Sequence, residues 1–363
     1  MSLTRLEILS FRNIELAELN LHPGVNGFFG DNGSGKSSLL ESIYMLSTFR
    51  SFRTHHLSSL INDQALYMLV RGKLADGGSL AVQRDRKGIR QIRIDGQAVN
   101  VSSRLAEALP VLVFDPDTIN LVLGQPSYRR RFLNWGVFHV KHQFSQLWRE
   151  ANRCLQQRNV LLKKGVVTDT LQQWTESLVE RSESLDRLRQ EYSTQLKGRF
   201  LETARSLCNI DNLDLEYYKG WSNALDLRRS YEKDLSLELT RGFTQKGFHR
   251  VDIRVTVNGK EISEVCSRGE AKMLSWALAL SQVELLPAAA RGKLVLLVDD
   301  IASEIDPTHR KQVTGLLCRG DHQILTTSTD KQTLIDGWGE ELGQMFHVKQ
   351  GIISRIGENI YDR

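Results

Sequence analysis

No run of about eighteen apolar residues, the length a helix needs to cross a bilayer, occurs anywhere in this chain. The nearest candidate, residues 273–290, is interrupted by Ser275, Gln282 and Glu284. The opening MSLTRLEILSFRNIEL alternates charged and apolar residues, unlike a signal peptide. Cysteine is also scarce. Cys154, Cys208, Cys266 and Cys318 are scattered with no C-x-x-C pair, which argues against a zinc site and reads as reduced, partly buried thiols of a cytosolic protein. Charge of one sign is hardly in excess, with 48 Lys and Arg against 43 Asp and Glu. That favours a polyanionic partner only weakly; a mildly basic surface accounts for it equally. Repeats, low-complexity stretches, helix-turn-helix or finger patterns and aromatic stacking motifs are missing as well, so sequence-specific reading of nucleic acid is not supported. What remains is a globular composition, 40% apolar and 25% charged over 363 residues. That length suggests a large α/β body plus one inserted or appended unit.

One motif is complete. Gly30-Asp31-Asn32-Gly33-Ser34-Gly35-Lys36-Ser37 is a G-x-x-x-x-G-K-[ST] phosphate loop, set between an apolar stretch (Val25, Phe28, Phe29) and a helical run from Ser38. Glycines let successive N–H groups turn toward phosphate oxygens, and the helix N-terminus adds partial positive charge. Lys36 would reach the β- and γ-phosphates of ATP, and the Ser37 hydroxyl would hold Mg²⁺.

Strands dominate residues 1–127. Leu3 to Leu21 suggests a hairpin, alternating segments lie at Tyr67–Leu74, Leu80–Arg84 and Arg90–Ile94, and Val111–Phe114 reads as a short buried strand. Residues 128–250 turn to long, charge-rich helices. Gly165 reads as a helix stop, and Asp169 with Gln172 as the next start. Leu171, Leu178, Leu185 and Tyr192 then recur every seven residues, while Arg181 and Gln195 break the alternate stripe. A helix from 170 to 207 spans about 57 Å. It belongs either to a hairpin lobe projecting from the body or to a bundle packed wholly on it. Residues 251–363 return to strands, at Val251–Val257, around Leu294–Val298 and before Thr327, with a helix at Glu270–Leu285.

The strand Leu294–Val298 runs into Asp299-Asp300, a Walker B arrangement. Asp299 would bind Mg²⁺, and Asp300 would orient an attacking water. Upstream, Ser267-Arg268-Gly269-Glu270 opens a helix of small and apolar residues. A hydroxyl, a glycine and open N–H groups there make either a phosphate-binding tip or simply a helix with Ser267 as N-cap. The tetrapeptide resembles the signature of ABC-type ATPases, whose tip closes over a γ-phosphate held by another subunit.

Taken together, LEILSFRNI, FFGDNGSGKSSLLESIYMLSTFRSFRT, VFDPDTINLVLGQPSYRRRFLN, SRGEAK and VDDIASEID resemble, in order and over nearly the whole chain, the RecF family of bacterial recombination-repair ATPases. The resemblance implies an ABC/SMC-head-type α/β body with an inserted, mainly helical lobe. It implies that Gly30 to Ser37, with Ser38, bind ATP, that Asp299 holds Mg²⁺, that Asp300 acts in hydrolysis, and that Ser267 to Glu270 act in trans across an ATP-dependent homodimer. It further implies a cytoplasmic, nucleoid-associated protein that grips DNA beside single-strand gaps, with RecR and RecO as partners and RecA loading as the outcome. Three departures stand out. Asp300 is one methylene shorter than the usual glutamate, and LTTSTD lacks the switch histidine, with Thr327 or Ser328 the nearest polar substitute. A glutamine sensing Mg²⁺ is not evident either, Asp117 and Gln125 being the nearest candidates. These departures imply slow hydrolysis, in a switch more than a motor, and the resemblance implies that DNA stimulates it.

Basic residues gather at Arg50 and Arg53; at Arg84, Arg86, Lys87, Arg90 and Arg93; and at Arg129 to Arg131. Each cluster is either a DNA-phosphate contact or a solvated face, and the last could also tie the lobe to the body. Two rival classes remain. A transporter ATPase usually carries an LSGGQ-type tip and a switch histidine, and a helicase needs a second motor fold; neither feature is present.

Overall fold

The computed structural model describes residues 2–165 and 167–357. Their contacts divide into two compact units, residues 1–118 with 287–363, and residues 119–286. The second unit is wider than the lobe of 128–250 that composition suggests, because it takes in the signature helix.

The first unit holds two sheets. In one, the order is Ile352–Arg355, Leu342–Lys349, Val25–Phe29, Gln323–Ser328, Val295–Val298, Val111–Phe114. All neighbours run parallel except the hairpin that ends at Ile352–Arg355. Val295 to Val298 are fully buried, which is why this strand reads as an unbroken aliphatic run. The other sheet is antiparallel, in the order Ile14–Asn20, Leu3–Phe11, Tyr67–Leu74, Ser79–Asp85, Arg90–Ile94, Gln97–Ala98. Its strands alternate buried and exposed residues, as a sheet with one wet face must. Helix Lys36–Thr48 packs its buried Leu39, Leu40, Ile43 and Leu46 into the core between them. The buried Gln323 side chain accepts from the Leu3 N–H and donates to the carbonyls of Leu3 and His22, tying the first strand to the parallel sheet.

The second unit is built on helix Asp169–Leu207, 39 residues long. Its Leu171, Leu178, Leu185, Tyr192, Leu196 and Phe200 are buried. Around it pack the helices Pro126–Val140, Phe144–Lys163, Leu227–Arg241 and Arg268–Glu284. The helix begins one residue earlier than expected: Thr168, not Asp169, is the N-cap, its hydroxyl accepting from Leu171 N–H at 3.2 Å. One expectation fails here. Leu213–Tyr218 is a strand inside the stretch read as long, charge-rich helices, paired antiparallel with Asp252–Val257. Charged residues alternate with its apolar ones, and the long-range partner, not local preference, decides its state. Arg181, which interrupts the apolar pattern, pairs with Glu150 at 2.7 Å, and on the helix Phe144–Lys163 buried Arg158 pairs with buried Glu238 at 2.7 Å.

Candidate nucleotide-binding site

The loop 30–37 follows the central strand Val25–Phe29, and its first glycine is obligatory. A Cβ at Gly30, where φ is 156°, would fall 2.0 Å from the carbonyl oxygen of Val348. Gly35, at φ 118°, is the N-cap of a helix that begins at Lys36, two residues before the run read from the sequence. The chain therefore passes from loop to helix without a spacer, and the first-turn N–H groups open on the cleft.

Lys36 is 8% exposed and donates to the carbonyls of Gly30 at 2.6 Å and Asp31 at 2.9 Å. Burial pulls its pKa below the ordinary lysine value, against the opposing fields of Asp300, Asp299 and Asp31. Among the described residues the buried Ser34 hydroxyl finds no partner. A cleft of about 280 Å³ is lined by Asn32, Gly33, Lys36, Ser37, Ser38, Asp299 and Asp300, with Arg53 and Ser303 beside them. Thus the loop and the paired carboxylates, distant in sequence, share one cavity.

Strand order explains how. Gln323–Ser328 lies between the phosphate-loop strand and Val295–Val298, so Thr327 stands between the loop and Asp299. Its hydroxyl donates to Asp299 at 2.6 Å and accepts from the Asp300 N–H at 3.0 Å. Asp300 takes a left-handed conformation, φ 50°, turning the chain sharply after the strand. Asp115 ends the neighbouring strand Val111–Phe114. Its carboxyl is raised to about 6, chiefly by burial and then by Asp117, with Asp299 contributing and the Thr118 hydroxyl opposing.

Three residues at or behind this cleft carry no motif. Asp115 looks like a strand end in sequence, Arg53 falls within a basic cluster read as either a DNA contact or a solvated face, and Asn13 sits in a hairpin turn. Asn13 Nδ2 donates to the loop carbonyl of Ser34 at 3.1 Å. Only long-range pairing brings it there.

The signature lies in the other unit. Ser267 is an N-cap, its Oγ accepting from Glu270 N–H at 3.3 Å while the Glu270 carboxylate accepts from Ser267 N–H at 2.8 Å. All four residues Ser267, Arg268, Gly269 and Glu270 are exposed. Nothing presses on Gly269, since the nearest atom to an added Cβ is Ser267 Oγ at 3.9 Å.

The basic clusters prove heterogeneous. Arg129 is buried and fully engaged, donating to both carboxylate oxygens of Asp252 at 2.9 Å and to Gly124 O at 2.6 Å, all within the helical unit. Arg86 is spent on the carbonyls of Asn62, Asp63 and Ala65. Lys87, Arg90 and Arg93 are exposed.

A model of the RecF/RecN/SMC N terminal domain matches residues 2–354. The DNA replication and repair protein RecF of Stutzerimonas stutzeri (strain A1501) is 39% identical over 362 residues, covering 98% of both chains. This chain belongs to the RecF family. RecF of Pseudomonas aeruginosa (strain LESB58) is likewise 39% identical over 98% of both chains. A solved structure of the recombination mediator protein RecF with ATP, in the RecFOR pathway, superposes with a TM-score of 0.83 at 28% identity, over 98% of this chain and 97% of that one. An SMC head bound to the C-winged helix domain of ScpA shares the fold, with a TM-score of 0.57 at 13% identity over 98% of both chains. The body is therefore an SMC-head-type α/β ATPase fold. RecF relatives matched from end to end set aside the transporter and helicase alternatives.

Proposed function

We propose that this RecF-family protein is an ATP-dependent DNA-binding switch of recombinational repair and replication-fork restart. Two copies close head to head around two ATPs, grip duplex DNA beside a single-strand gap, and release it on slow hydrolysis. The observation that carries this reading is the convergence of Lys36, Arg53 and Ser37 with Asp299 and Asp300 on one cleft.

The chain's own groups divide the work. Loop N–H groups and Lys36 hold the phosphates, Lys36 exchanging its carbonyl partners for phosphate oxygens. Arg53 adds a second cation at the mouth. The Ser37 hydroxyl and the Asp299 carboxylate are hard oxygen donors lining the same cleft, a set that suits Mg²⁺. When bound, that ion would neutralise phosphate charge. Asp300 orients water from a short side chain, which suits a slow switch.

Ser267 Oγ already accepts a hydrogen bond, so its proton is free to donate to a γ-phosphate of a second copy. The exposed, uncrowded Gly269 leaves room for that approach. RecR and RecO are the proposed partners, loading of RecA the proposed outcome, and the bacterial cytoplasm at the nucleoid the proposed location.

DNA retention measured with ATP, ADP and a non-hydrolysable analogue tests the reading. The analogue should hold DNA longest and ADP least. Equal retention with all three contradicts it.

A further inference from the structure

The turn Arg12–Asn13, between strands Leu3–Phe11 and Ile14–Asn20, touches the nucleotide site twice. Asn13 Nδ2 donates to Ser34 O at 3.1 Å and, more loosely, to Gly33 O at 3.4 Å. The Gly351 N–H, from the turn of the last hairpin, donates to the same Ser34 oxygen at 2.7 Å. The two turns are in contact, for a Cβ on Gly351, at φ 82°, would meet Asn13 O at 2.0 Å. A planar peptide holds its C=O and N–H in opposite directions. Pinning Ser34 O outward from both lone pairs therefore aims the Gly35 N–H the other way, and Gly35 lines the cleft.

Arg12 works on the opposite flank. Its guanidinium pairs with Glu41, through Nε and through Nη2 at 3.0 Å. Glu41 is fully buried on the helix that follows the loop. The Ser51 hydroxyl donates to the same carboxylate and accepts the N–H groups of Arg53 and Thr54, each at 2.9 Å. Arg12 also closes the far end of that segment, its N–H donating to Leu60 O at 2.7 Å and its carbonyl accepting from Asn62 Nδ2 at 2.8 Å.

We propose that the Arg12–Asn13 turn is a positioning element of the nucleotide site. Asn13 sets the peptide at Ser34–Gly35 to face the phosphates, and Arg12, through Glu41 and Ser51, holds Arg53 at the cleft. This rests on the reading that residues 30–37 bind the phosphates.

Binding of ATP and ADP is measured by calorimetry on the full chain, with melting temperature recorded without nucleotide. Asn13→Asp keeps the shape but cannot donate, and Asn13 is exposed, so the fold should tolerate it. ATP and ADP should both weaken about tenfold, the size of one lost hydrogen bond that orders the loop. Asn13→Ala, which cannot donate and adds no charge beside the phosphates, carries the same test should Asn13→Asp fail to fold. Ser51→Ala should weaken ATP, and adding it to Arg53→Ala should cost nothing further, because both act through one guanidinium. A lower melting temperature with unchanged affinities would show a merely structural turn and overturn the proposal. Additive losses at Ser51 and Arg53 would overturn its Arg12 limb. Wild-type affinity in Lys36→Ala would instead overturn the phosphate loop itself, so the two failures are distinguishable.

Discussion

The Thr327 hydroxyl donates to the Asp299 carboxylate at 2.6 Å while accepting from the Asp300 N–H at 3.0 Å. One side chain thereby holds the Asp299 carboxylate and the Asp300 backbone, in the stretch where ABC-type enzymes place a histidine. Thr327→Val keeps the volume and removes both bonds. The expected loss is about 1–3 kcal/mol in denaturant unfolding, with weaker Mg²⁺-dependent ATP binding. Thr327→Ser should restore both. A valine variant as stable and as responsive to Mg²⁺ as wild type would show that Thr327 does not hold the pair.

The two acids should separate under substitution. Asp300→Asn is expected to bind ATP normally and to trap the closed dimer, since it would remove the group proposed to orient water. Asp299→Asn should instead lose the dependence of ATP binding on Mg²⁺. Nucleotide affinity with and without Mg²⁺, together with dimer lifetime, checks both. Matching phenotypes would mean that the roles are divided differently.

Acid should destabilise the helical unit before it reaches the ordinary carboxylate range. Burial holds His139, whose ring meets that of Trp135 at a tilt, down to about 4. Burial, aided by Arg250 and opposed by the Thr244 carbonyl, does the same to His249. The unfolded chain takes up these protons near 6.5, whereas the folded chain resists until about 4. Stability is therefore complete above 6.5 and falls as the pH drops toward 4. Partial exposure limits the loss to about 1–3 kcal/mol per histidine. His139→Phe should flatten the curve in denaturant titrations across this window. An unchanged slope would mean that His139 titrates normally.

DNA retention should fall steeply with salt and hardly vary with base sequence. With Arg86 and Arg129 internally engaged, the exposed Lys87, Arg90 and Arg93 are the better candidates for phosphate contacts. Replacing all three by alanine should make the log–log salt slope shallower by about 2–3. An unaltered slope would place the contacts elsewhere.

Local pattern made the phosphate loop, the aliphatic strand before Asp299 and the long helix legible, because each is specified by neighbours in sequence. Its limit shows at Leu213–Tyr218, where pairing with Asp252–Val257 decides the strand. The same limit hid Asn13 and Arg53. Asn13 reaches Ser34 only through hairpin and sheet pairing, and Arg53, whose N–H donates to the Ser51 hydroxyl that bridges to Glu41, lines the cleft far from the loop in sequence. Arg129 to Arg131 looked like one cluster, yet burial makes Arg129 a partner of Asp252 while Arg131 stays exposed. Adjacent charges need not share a surface.

The most direct test of the switch is a mixing experiment on the signature. Sedimentation with ATP should show that Ser267→Arg protein binds nucleotide as a monomer but does not close, and that Lys36→Ala protein does neither. Mixed, the two should form a heterodimer with at most one composite site, made from the intact loop of one subunit and the intact tip of the other. Dimerisation and DNA retention by Ser267→Arg alone at wild-type levels would contradict a signature acting in trans, and with it the clamp.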